Sequence, residues 1–104
     1  PNYSAADIES ACAILRKAGV SERVMVDCSH ANSAKDFARQ IAVAEDLAAQ
    51  IEGGERRILG LMVESHLNAG KQALAPDKPL QYGVSITDGC IGLADTEAVL
   101  RRLA

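Results

Sequence analysis

Between Asp27 and Ser33 the chain places a carboxylate, a thiol, two hydroxyls, an imidazole and an amide within seven residues, directly after the apolar run Val24 to Val26. A second polar group, Glu64-Ser65-His66, follows a second apolar run, Ile58 to Val63, and Asp88 stands in the glycine-flanked turn of Val84 to Gly92. His30, Glu64 and Asp88 together offer one imidazole and two carboxylates. That donor set suits a divalent ion such as Mn, Fe, Co or Zn. A plainer reading uses the same residues: His30 as a histidine satisfied by its neighbours, Glu64 as a helix cap or ion-pair partner, and Asp88 as a turn former. Spacing alone leaves both readings open.

For the three groups to act together, the elements before them must end at one place. Ser4 to Ala18 reads as a helix, with Ile8, Ala11, Cys12 and Leu15 on one face, Ser4 and Asp7 as a capping box with Asp in place of Glu, and Gly19 as its stop. Val24 to Val26 is too short for a helix and apolar on both faces, as in a parallel strand buried between helices. A second helix is expected over Ala34 to Glu52, capped by Asn32 or Ser33 and ended by Gly53-Gly54. Ile58 to Val63 gives the next strand. Asn68 to Gly83, with Pro76 and Pro79, reads as a long loop, and long loops in compact domains are usually functional or disordered. A last helix is expected to be capped by Asp95 or Thr96 and to carry Val99, Leu100 and Leu103. A strand–helix–strand unit of this length is a crossover to a parallel neighbour about 4.8 Å away. His30 and Glu64 then emerge on one rim, the edge where α/β folds bind ligands, and the long loop lets Asp88 fold back across it.

Composition narrows the classes. The chain has 104 residues, 48% of them apolar and 3% aromatic, so its core must be built from Ala, Ile, Leu and Val. A net charge of −3, with cations interspersed among acids, argues against a nucleic-acid partner. Three cysteines without a C-x-x-C pair suggest neither a disulfide framework nor a zinc ribbon, and a reducing cytoplasm is the simplest setting. No apolar run is long enough to span a membrane as a helix. The opening Pro1-Asn2-Tyr3 reads as a cut end.

The blocks D-C-S-H-A-N-S-A-K-D (27 to 36), G-L-M-V-E-S-H-L (60 to 67) and Q-Y-G-V-S-I-T-D-G-C-I-G (81 to 92), with the opening P-N-Y, closely resemble the C-terminal part of the class I 3-deoxy-D-arabino-heptulosonate 7-phosphate (DAHP) synthases. The resemblance runs along essentially the whole chain. It implies an α/β fold, with residues 1–104 as one partial (β/α)8 TIM barrel running from helix 6 through strand 7, helix 7 and strand 8 to helix 8. A full barrel has about 250 residues. It also implies a metal-dependent condensation of phosphoenolpyruvate with erythrose 4-phosphate, the first step of aromatic amino acid biosynthesis by the shikimate route. In that reaction a divalent ion polarises the aldehyde, and water completes the loss of phosphate.

Carried over by motif, His30, Glu64 and Asp88 are the metal ligands. The family's cysteine ligand in a G-P-C-S block, its K-P-R-T segment and the Arg of its L-R-G-G block have no counterpart here, and neither Cys28 nor Cys90 replaces that cysteine. The resemblance therefore implies the remainder of the same barrel as a partner, a homo-oligomeric parent enzyme, and no synthase activity for the 104 residues alone. Asp27 either orients His30 or a catalytic water, or pairs with a cation elsewhere in the barrel. Lys35 and Arg39 are weak candidates for binding phosphate, against a simple solvated face. His66 reads more readily as structural than as a proton-transfer group, and Cys12 as core. Two alternatives stand beside the family reading. One is a related synthase adding phosphoenolpyruvate to arabinose 5-phosphate or N-acetylmannosamine; the other is a non-catalytic metal-binding or interaction module.

Overall fold

A computed structural model of the protein describes residues 1–104. Its elements are helix α1 (Ala5–Lys17), strand β1 (Val24–Asp27), a 3-10 turn (Phe37–Arg39), helix α2 (Gln40–Glu52), strand β2 (Ile58–Met62) and helix α3 (Leu93–Leu103). The expected order of helix and strand is met. α1 starts at the predicted capping box: the Ser4 Oγ accepts from the Asp7 amide at 3.2 Å, and the Asp7 carboxylate accepts from the Ser4 amide at 3.0 Å. Beyond its end Gly19 takes a left-handed φ of +71°, which a side chain would oppose.

β1 and β2 pair in parallel, with Val24 opposite Ile58 and Asp27 opposite Met62. A register shift after Val24 leaves Leu59 unpaired in the ladder. The core lies on one side of this sheet, where Val26, Cys28 and Ile58 meet Ile8 and Cys12 of α1, Val43, Ala44 and Leu47 of α2, and Val99 of α3. Met25 and Leu59 are 67% and 62% exposed, so the expectation of a strand buried on both faces is half met: the helices cover only one face. The radius of gyration is 16.0 Å, where a compact domain of this length has about 13 Å. Two paired strands and three helices form a one-sided slab rather than a closed barrel.

Two element starts differ from expectation. The second helix begins at Gln40 rather than near Ala34, because His30, Ala34 and Lys35 hold φ of +50°, +53° and +62°, which break the helical path. Asn32 is not a cap: its Nδ2 donates to the Asp27 carbonyl at 2.8 Å, and its Oδ1 accepts from the Asn2 amide at 2.7 Å. Ser33 is buried, and Asp36 caps the 3-10 turn instead. α3 begins at Leu93 after Gly92, so Asp95 and Thr96 lie inside its first turn, and the Thr96 hydroxyl bonds back to the Gly92 carbonyl. Arg102 of α3 grips Glu45 and Glu52 of α2 with contacts of 2.8 to 2.9 Å, fastening the two helices along their exposed sides. No helix is long and apolar enough to cross a membrane.

Candidate metal centre

Because β1 and β2 are parallel and end side by side, the residues after Asp27 and Met62 leave the sheet on one edge. The last ladder bond runs from the Cys28 amide to the Met62 carbonyl at 2.8 Å. The chain then closes into a tight turn, with the Asn32 amide donating to the Ser29 carbonyl and the Lys35 amide to the His30 carbonyl. Asp27 organises this turn with both oxygens. Oδ1 accepts from the Ser29 amide at 2.7 Å, and Oδ2 lies 2.7 Å from His30 Nδ1. A carboxylate only accepts, so Nδ1 carries a proton, and in the neutral ring the Nε2 lone pair is left on the side of Glu64 and Asp88.

Glu64 follows β2 and is held through its side chain by Ser29, whose hydroxyl donates to Oε2 at 2.5 Å. Asp88 arrives from the third segment. That segment is tied to the end of β2 by the Ile91 amide donating to the Glu64 carbonyl at 2.9 Å and the His66 amide donating to the Ile91 carbonyl at 3.0 Å. His30 Nε2 lies 3.7 Å from Glu64 Oε1 and 3.8 Å from Asp88 Oδ2. One ligand atom from each residue falls within 4.8 Å of the others. Metal bonds of about 2.0–2.2 Å would set tetrahedral ligands about 3.4 Å apart, so the two pairs that include His30, at 3.7 and 3.8 Å, need to close by only a few tenths of an ångström. The donor set and its spacing fit a divalent ion with positions left open for other ligands.

The electrostatics favour a cation. Hydrogen bonding to Asp27, then the Asp27 charge, with Glu64 and Asp88 adding to it, hold the His30 imidazole above its ordinary value of 6.5. A raised folded value means that this interaction stabilises the metal-free fold fully below about pH 6.5 and is lost as the pH rises through the folded value. Metal binding needs the neutral ring and so strengthens in the opposite direction, with rising pH. Asp27→Asn is expected to move the His30 midpoint in metal-free protein down toward the ordinary value. Histidine-ring NMR checks this, and an unmoved midpoint would count against Asp27 as the cause.

The remaining predicted residues are placed as follows. Lys35 lines the cleft of about 720 Å³ that holds Ser29, His30, Glu64 and Asp88, whereas Arg39 lies exposed outside it; the two are not a pair on one helix, since α2 has not yet begun. Lys71 from the long loop lines the same cleft and was not expected there. His66 stands outside the cluster, its Nδ1 accepting from the Leu67 amide at 2.9 Å. Cys12, Cys28 and Cys90 are buried and free, and none joins the cluster. Burial, then the Asp27 charge, push the Cys28 thiol up to about 11, so it stays protonated. Sequence reasoning also missed Ser29 and Gln40, which hold Glu64. A serine beside the His30 motif was the available signal for the first; nothing in the helical pattern marked the second.

These features define an α/β protein whose polar chemistry lies beyond the ends of parallel strands. The family model for the DAHP synthetase I family matches residues 1–101, and the chain belongs to that family. It is 54% identical over 104 residues to the Phe-sensitive phospho-2-dehydro-3-deoxyheptonate aldolase of Escherichia coli K12, covering 100% of this chain and 30% of that protein. The Haemophilus influenzae phospho-2-dehydro-3-deoxyheptonate aldolase is 50% identical, with 100% and 29% covered. The solved structure of the Francisella tularensis SCHU S4 aldolase of the same name superposes with a TM-score of 0.94 at 43% identity, covering 99% of this chain and 30% of that one. The chain thus spans about 30% of the length of these relatives.

Proposed function

We propose that the whole protein bearing this chain is a DAHP synthase. It condenses phosphoenolpyruvate with erythrose 4-phosphate and water to give DAHP and phosphate, opening aromatic amino acid biosynthesis in the cytoplasm. The observation that carries the reading is the convergence of His30, Glu64 and Asp88 within 4.8 Å, at the positions where the family motifs place metal ligands. In this reading those residues hold a divalent ion, Mn, Fe, Co or Zn, which when bound polarises the aldehyde carbonyl. Asp27 fixes the His30 tautomer, Ser29 fixes the Glu64 carboxylate, and Lys35 and Lys71 give the cleft wall positive charge suited to a sugar phosphate. The remainder of a (β/α)8 barrel packs on the exposed Met25 and Leu59 face and brings the further ligand and phosphate-binding cations. The intact enzyme is a homo-oligomer.

The test is turnover by the full-length protein. Phosphate release from phosphoenolpyruvate should require erythrose 4-phosphate, stop with a chelator and return with a divalent metal. Turnover with arabinose 5-phosphate or N-acetylmannosamine in its place would overturn the reading. The isolated 104-residue polypeptide is expected to show no turnover, and measurable activity from it would show that the outside segments are not needed.

A further inference from the structure

Gln40, the first residue of α2, is 0% exposed. A buried primary amide brings donors and an acceptor that all need partners, and Gln40 directs both ends at one residue. Its Oε1 accepts from the Glu64 amide at 2.7 Å, and its Nε2 donates to the Glu64 carbonyl at 3.2 Å. A neighbouring strand would normally make these bonds. Here a side chain makes them, at the point where β1 has turned away after the Cys28 to Met62 bond. The Glu64 carbonyl also accepts from the Ile91 amide, three residues beyond Asp88, and α2 itself follows the His30 turn. The Glu64 peptide is thus the joint at which all three converging segments meet. Packing does not require an amide there, because methionine fills a similar volume without polar atoms to satisfy.

The geometry points to Gln40 as a positioning residue whose two-ended grip on the Glu64 peptide aims the Glu64 carboxylate at His30 and Asp88. This rests on the metal reading proposed above. Helix α2 and the ligand rim are then one rigid unit: the helix begins where the site needs an anchor.

Co2+ serves as the probe in the full-length protein, through competition with a chromophoric chelator and through its visible absorption spectrum. Gln40→Met should lower Co2+ affinity on the order of 10–100-fold, the range for partners standing behind metal ligands, and should change the spectrum. Gln50→Met, which removes bonds from the far end of the same helix to Tyr3 and Asp46, should change neither. Gln40→Glu keeps the shape and the acceptor for the Glu64 amide, and should give a smaller loss if the methionine variant does not fold. Unaltered affinity and spectrum in a folded Gln40 variant would overturn the grip, as would a requirement for Gln40 in folding so strict that neither variant folds. Co2+ binding that is also indifferent to Glu64→Gln would instead overturn the metal reading beneath it.

Discussion

Glu64→Gln is expected to lower divalent-metal affinity by more than about 100-fold, beyond the range seen when only a group behind a ligand is lost, and to abolish the proposed synthase activity in the full-length protein. The substitution is close to isosteric, and the Ser29 hydroxyl that donates to Glu64 Oε2 can donate equally to an amide oxygen. The grip of Gln40 on the Glu64 backbone is untouched, since it uses the peptide group. What changes is one negative charge facing His30 Nε2 at 3.7 Å. Fold and thermal stability of the metal-free protein should therefore survive while binding does not. Chelator competition and the activity assay read the two losses together, and an affinity within a few-fold of the unsubstituted protein would remove Glu64 from the ligand set.

Gly89→Ala is the second large effect. A Cβ at Gly89 would lie 2.7 Å from Phe37 Cδ1 and 3.3 Å from Phe37 Cβ and Cγ, so the whole ring stands in its way rather than one mobile atom. Phe37 is half-buried at the start of the 3-10 turn and packs against the core, which limits how far it can retreat. Overpacking of this kind costs about 1–3 kcal/mol, and the turn that yields carries Asp88. Urea unfolding should report the stability loss, and metal titration a weakened site. Phe37→Leu in the same chain should recover part of both, a coupling that a double-mutant cycle measures. Strict additivity would show that the contact between these two positions does not hold the Asp88 turn.

Much of the site was legible because it depends on strand ends. Period and caps located α1, and the two apolar runs, ending at Val26 and Val63, came within one residue of the observed strand ends at Asp27 and Met62; parallel pairing then brings His30 and Glu64 to one edge. The start of α2 was hidden because Ala34 and Lys35 adopt left-handed backbone angles that their residue types do not favour. Composition there reads as helix, while the hydrogen bonds of the turn impose another path. The one-sided sheet was also hidden, since apolar residues on both faces of β1 say that both should be covered but not that this chain does the covering. Gln40 and Lys71 escaped for a related reason. One is a polar residue at a helix start, the other a cation in a proline-bearing loop, and only the folded backbone brings either to the cleft.

The two-handed use of Asp27 sets how this site can vary. One oxygen holds the Ser29 amide, the other holds the His30 ring, and Ser29 in turn holds Glu64. Two of the three converging groups hang from a single carboxylate. A library built to alter metal preference that randomises only His30, Glu64 and Asp88 would sample the proposed ligands on a fixed hanger, and one that randomises Asp27 alone would disturb two of them with every draw. Through the side chains the arrangement is wired in series, while Gln40 holds the Glu64 backbone separately, so Asp27 and Ser29 have to be varied together with the groups they carry.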